Sequence, residues 1–232
     1  MNLEEIYKRK HIVGLECIKN QNEILDENLN NSNDTRRGIS LLIRPSEKVS
    51  KSIQSKVKEL MNIDTNLYLY SPECLHITLY SFIHQTKDYI YDGKQKELYK
   101  RLSKEILSNY KQFKINCKGL MFTEKTILVK GFPEETMNEI RNNIRETLYK
   151  NNIIHTEKYK DDICHMSLAR FKNRIINREK LIQFVNDNYN YDFGTFDVSE
   201  VELICHDWYD TKRDLFEKFK LVWKSKFFDH LD

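Results

Sequence analysis

The tetrapeptide His76-Ile77-Thr78-Leu79 returns as His165-Met166-Ser167-Leu168, 89 residues further along the chain. Both copies read histidine, apolar, hydroxyl, leucine. Successive side chains of a strand point to opposite faces, so each copy sends an imidazole and a hydroxyl to one face and two apolar groups to a core. In a chain with 7 His and 40% hydrophobic residues, chance supplies this pattern only about 0.03 times. Two copies therefore call for a fold with two half-buried strands of one kind, each holding a histidine on a rigid support.

The surroundings of the two copies repeat as well. Ahead of the first, residues 38–43 form a short aliphatic run bounded by Gly38 and Pro45, which predicts a buried strand. Val49, Ile53, Val57, Leu60 and Met61 then follow a helical period. The motif strand is expected over 74–82, and Leu98, Leu102, Ile106 and Tyr110 mark another helix. In the second half, a strand over 126–129 ends at Gly131 and Pro133, and Met137, Ile140, Ile144 and Leu148 mark a helix. A motif strand over 163–171 and a helix at Leu181, Ile182 and Val185 come next, and β-like segments at 196–205 and 216–223 finish the chain. A shift of 89 carries helix 46–62 onto 135–151 and strand 39–43 onto 128–132. The expected fold is α+β and bilobal: two antiparallel-rich sheets with outer helices, related by a pseudo-two-fold, with a central cleft between the lobes. Residues 1–35 read as an N-terminal helical extension: a helix over 1–30 grading into an Asn-rich loop at 28–34. Residues 36–232 read as the bilobal domain, with lobes near 36–124 and 125–224 that are free to exchange strands.

Composition removes other classes. Lys plus Arg number 38 and Asp plus Glu 35, so the net charge of +3 does not suit a polybasic nucleic-acid coat, although a local basic cleft stays open. Six Gly and three Pro exclude collagen-like and Pro-rich classes. The N-terminus lacks the apolar region of a signal peptide, and the longest aliphatic stretch, 39–43, is far short of a membrane span. Five cysteines, an odd number with no C-x-x-C pair, fit a reduced, cytoplasmic compartment. The chain is expected to act as a monomer, without membrane, metal or cofactor.

His76-Ile77-Thr78 and His165-Met166-Ser167 resemble the paired H-x-[ST] motifs, one per lobe, of the two-histidine (2H) phosphoesterase superfamily, which includes 2'-5' RNA ligase-like proteins and cyclic phosphodiesterases. The resemblance spans residues 36–224 and leaves out the N-terminal thirty or so. It implies a metal-independent phosphoesterase acting on an RNA end or nucleotide, with a 2',3'-cyclic phosphate as the foremost substrate. The groups themselves support phosphoryl transfer. A neutral imidazole takes a proton from the attacking water or hydroxyl and a protonated one gives a proton to the departing oxygen. An ordinary histidine titrates near about 6.5, so both forms are accessible around neutrality. Thr78 and Ser167 can donate to the non-bridging phosphate oxygens. Which histidine is acid and which is base stays open. Alternatives are a 2'-5' oligonucleotide or cyclic oligonucleotide phosphodiesterase, the reverse ligation, a non-catalytic RNA- or nucleotide-binding module, and a metal-dependent hydrolase. Cys74, His76, Cys164 and His165 are poor zinc candidates, because Cys164 and His165 are adjacent in a strand and face opposite ways.

Further residues are weaker candidates for substrate contacts. Tyr80 shares the His76 and Thr78 face under strict alternation, and Arg170 lies five residues past His165. Tyr159 stands between Lys158 and Lys160, and Trp208 with Tyr209 can stack on a base. Arg36 and Arg37 open the first strand. His11, His84, His155, His206 and His230 lack a hydroxyl partner and are given no role.

Overall fold

The computed structural model describes residues 2–153, 155–156 and 163–222. Helix α1, Leu3–Lys19, starts at Asn2, whose side chain accepts from the Glu4 N–H while Glu5 reaches back to the Asn2 N–H. After a 3-10 turn at Glu27–Asn30 comes β1, Arg37–Ile43, buried from Gly38 onward as its apolar run requires. Helix α2, Glu47–Ile63, is capped by Ser46 and buries Val49, Ile53, Val57 and Leu60. Strands β2, Leu67–Leu69, and β3, Ile77–Thr86, flank a 3-10 turn at Pro72–Cys74. Next along the chain are α3, Gly93–Leu107; β4, Phe113–Phe122; β5, Thr126–Pro133; and α4, Thr136–Lys150. The chain continues through β6, Cys164–Phe171; α5, Arg178–Asp187; β7, Asp192–Val198; β8, Glu200–His206; and β9, Arg213–Lys220.

The strands form two antiparallel sheets, ordered β3-β1-β8-β9 and β2-β6-β5-β4-β7. Set side by side, β3-β1-β8-β9 matches β6-β5-β4-β7, with β2 as an added edge. The motif strands β3 and β6 hold equivalent places. Strand β4, from the first half of the sequence, belongs to the second sheet, while β8 and β9 belong to the first. The β-like run at 196–205 is two strands divided at Ser199, one in each sheet. Strand β4 escapes the sequence reading although Phe113, Ile115 and Cys117 alternate with Lys114 and Lys118 around it.

Both motif strands depart from strict alternation at the same step. Leu42 faces Thr78 and Leu41 faces Tyr80, so Leu79 is an extra residue. Leu128 faces Ser167 and Ile127 faces Ala169, so Leu168 is extra. A bulge reverses the facing of every residue beyond it in the strand. Tyr80 is thereby turned away from the cleft face, which corrects its expected place beside His76 and Thr78. It is 2% exposed, with its ring 5.2 Å from Phe82. The same device brings Arg170 round to the face of His165 and Ser167.

The two sheets meet where β3 approaches β6, and Arg141 of α4 fills the junction. Its Nε donates to Leu79 O at 2.9 Å, and its Nη2 donates to Thr78 O at 3.0 Å and Ile163 O at 3.1 Å. Buried carbonyls without a donor are costly. Arg141→Met is therefore expected to lower unfolding free energy by about 3 kcal/mol, measured by urea titration, and Arg141→Lys to recover part of that loss.

Candidate active site

His76 stands between the Pro72–Cys74 turn and β3. Its Nδ1 lies 2.8 Å from Cys74 O. A carbonyl only accepts, so Nδ1 carries the proton and Nε2 keeps a lone pair. His76 and Thr78 from one sheet, and His165, Ser167 and Arg170 from the other, line a single cleft of about 190 Å³. The paired motifs therefore converge although 89 residues separate them in sequence.

Arg170 is held on several sides. Its Nε donates to the Tyr70 hydroxyl at 2.8 Å, its Nη1 to Asp26 at 3.4 Å, and its guanidinium carbon lies 5.4 Å from the Trp208 ring centre. The Tyr70 hydroxyl thereby fixes one edge of the Arg170 guanidinium. Trp208 lines the cleft, with Arg36 5.5 Å from its ring centre and the His84 ring edge-on at 5.2 Å. Tyr209 is buried behind it, donating to Asp26 at 2.8 Å, and does not line the cleft. Arg36 is paired to Asp34 at 2.7 Å. Tyr159, with Lys158 and Lys160, lies outside the described residues, as do His230 and Trp223. Cys74 Sγ contacts Asp210 O at 3.4 Å, and Cys164 turns into the core beneath Gly131. Among the described residues, no three His, Cys, Asp or Glu side chains gather as metal ligands would. No described helix is long and apolar enough to cross a membrane.

The charged backing of His76 has no counterpart in the sequence expectations. The His206 ring meets His76 edge-on at 5.8 Å, and its Nε2 lies 3.1 Å from both Ser40 Oγ and the Gln85 amide nitrogen. Its Nδ1 faces Asp210 Oδ1 at 3.5 Å. Asp210 is fully buried, in a left-handed conformation with φ of 58°, and pairs with Arg44 and with Arg213 at 3.2 Å. Burial alone would raise this carboxyl. His206, Arg44 and His76 together hold it down at about 2. Burial, helped by His206, lowers His76 to about 4, against the opposing pull of Asp210 at 3.9 Å. The available signal is compositional: His206, two acids and two aromatics come directly after the apolar run ending at Cys205. His206 lacks the hydroxyl partner that marks the two motif histidines, so the pattern does not single it out.

The free protein's His76 ring is expected to titrate near pH 4 with Nδ1 protonated in its neutral form, as read by ¹⁵N-resolved NMR. His206→Gln removes the neighbouring imidazole that helps hold His76 down, so the His76 midpoint is expected to rise.

The sequence profile of the AKAP7 2'5' RNA ligase-like domain matches residues 38–218. No curated protein sequence matches the chain. Among solved structures, TT0787 of Thermus thermophilus aligns with a TM-score of 0.59 at 16% identity, over 80% of this chain and 97% of its own. E. coli LigT complexed with 3'-AMP aligns with a TM-score of 0.54 at 12% identity, over 81% of this chain and 99% of its own. The same protein complexed with ATP gives a TM-score of 0.53 at 12% identity over the same shares. At these identities the structural likeness speaks for the fold, and the profile speaks for the family. The chain belongs to the AKAP7 2'5' RNA ligase-like domain family, within the two-histidine phosphoesterase superfamily.

Proposed function

We propose that the protein hydrolyses a cyclic phosphodiester on a nucleotide or RNA end, foremost a 2',3'-cyclic phosphate, by metal-independent acid–base catalysis at His76 and His165. The observation that carries this reading is the convergence of both imidazoles and both motif hydroxyls on one small cleft. His76 acts as the base, because burial keeps its ring neutral and Cys74 O fixes the Nδ1 proton, leaving the Nε2 lone pair for water. Water's oxygen bonds to phosphorus as its proton passes to His76. The bond to one ribose oxygen breaks, and protonated His165 supplies the proton that oxygen takes. The product is a phosphomonoester. Thr78, Ser167 and Arg170 stabilise the charge gathering on the non-bridging oxygens, and Trp208 offers a face for the base.

A cleft of about 190 Å³ is below the usual 300–1,000 Å³ of a small-molecule pocket. It suits a terminal phosphate and ribose better than a strand threaded through it. The LigT complexes with 3'-AMP and ATP support a nucleotide as the ligand class. The family description favours a second reading of the same chemistry, on 2'-5' linkages.

The deciding experiment incubates the protein, with excess chelator, with 2',3'-cyclic nucleotides, 2'-5'-linked dinucleotides and cyclic dinucleotides. Turnover of the first set is expected to dominate, and preference for either other set would reassign the substrate. His76→Ala and His165→Ala are each expected to lower kcat by about 10³-fold or more. Wild-type turnover in either variant would remove the mechanism. Because His76 is neutral down to about 4, kcat/KM is expected to stay level on the acid side well below pH 6.5 and to fall as His76 takes a proton near pH 4.

A further inference from the structure

The family match begins at residue 38, so α1 and the segment joining it to β1 lie outside it. That segment nevertheless touches the second motif strand at both ends.

At the start of β6 the Tyr7 hydroxyl is enclosed by backbone. Gly131 O lies 2.6 Å away, Cys164 O is also in contact, and the Cys164 N–H donates to the hydroxyl at 3.2 Å. Gly131 and Cys164 are cross-strand partners, so one hydroxyl ties off the β5–β6 ladder one residue before His165. The Tyr7 ring is fully buried with Met121, Leu128 and Ile163 and lies edge-on to Phe132 at 5.3 Å. Leu128 is the cross-strand partner of Ser167, and directly opposed side chains share a face. Helix α1 therefore lies against the face that presents His165 and Ser167. Gly14 permits the close approach, since a Cβ there would stand 2.7 Å from the Phe122 and Thr123 backbone.

At the end of β6 the contact is made by Asp26. Its N–H donates to Phe171 O at 2.9 Å, and its carboxylate accepts from Arg170 Nη1 at 3.4 Å and from the Tyr209 hydroxyl at 2.8 Å. With Nε bonded to Tyr70 and Nη1 to Asp26, the plane of the guanidinium is set, and among the described residues Nη2 has no hydrogen-bond partner.

We propose that the N-terminal segment is a working part of the site: Tyr7 is a positioning residue for His165, acting through the Cys164 backbone, and Asp26 is a positioning residue for Arg170. This rests on the reading that His165 and Arg170 meet the substrate phosphate. Small displacements of a reacting group are costly in rate, on the order of 10²-fold for 1 Å.

The test compares Tyr7→Phe, Asp26→Asn and Ile6→Ala, the last of which loosens the same helix without touching the hydroxyl. Tyr7→Phe is expected to lower kcat about tenfold with KM little changed, and Asp26→Asn to raise KM about fivefold. Ile6→Ala is expected to lower Tm at least as far as Tyr7→Phe while keeping kcat. An equal loss of kcat in Ile6→Ala, or unchanged constants in both other variants, would overturn the proposal. The His165 imidazole ¹⁵N shifts and titration midpoint are read in parallel, without substrate. They are expected to move in Tyr7→Phe and to hold in Ile6→Ala, and unmoved signals in Tyr7→Phe overturn the proposal whatever the substrate. Failure of the functional reading shows separately, as wild-type turnover in His165→Ala or no turnover of any ribose phosphodiester.

Discussion

The site depends on two strands lying close together without pairing. Strand β3 is the edge of its sheet, and β6 has only the short β2 on its outer side, covering Ala169–Phe171. The segments carrying the two motifs thus approach each other with backbone carbonyls turned toward the gap. Left dry and unmatched, those carbonyls would push the sheets apart or admit water. Arg141 supplies three donors there from a single buried side chain, to Thr78, Leu79 and Ile163. A further strand bridging the gap would have fused the sheets and flattened the cleft. A guanidinium satisfies the same groups and still leaves the sheets as two separate walls.

Much of this was legible in the sequence, because period and spacing are carried by local chemistry. The aliphatic run of β1, the helical spacing of Val49, Ile53 and Val57, and the doubled His-x-hydroxyl strands each reflect a face that must be buried. What escaped was set by partners rather than by period. Tyr80 fails to reach the cleft because the ladder with β1 leaves Leu79 extra, and no property of Leu79 itself announces a bulge. Arg170 joins the cleft through the same step in β6. Asp210 and His206 are near His76 only because β8 pairs with β1. Exchange of β4 for β8 and β9 between the sheets follows from pairings that span more than 150 residues at their longest, and no local pattern encodes them.

The bulge has a consequence common to both halves. Leu79 and Leu168 are 89 residues apart, like the histidines, so the repeat holds to the level of a single irregular backbone step. After that step the residue returned to the cleft face is Ser81 in one strand and Arg170 in the other. Repeated backbone geometry thus offers two equivalent positions, and the side chains placed in them differ in charge.

That difference extends to the surroundings of the two rings. His76 is backed by His206 and by a carboxylate already committed to Arg44 and Arg213, an arrangement in which burial prevails and the ring stays neutral. On the His165 side the cleft wall carries the Arg170 guanidinium, itself restrained by Tyr70 and Asp26, while Lys130, the cross-strand partner of His165, is buried and paired to Glu4. A neutral ring can accept a proton, and a guanidinium can hold an anionic phosphate while a proton is delivered to its leaving oxygen. In the proposed reaction a near-symmetric frame thereby performs an unsymmetric task. Proton acceptance falls to the half in which burial keeps the ring neutral, and anion binding to the half that keeps a cation at the cleft wall. Because Asp26 belongs to the segment ahead of the matched family residues, the balance of charge in that second half is set partly from outside the repeated frame.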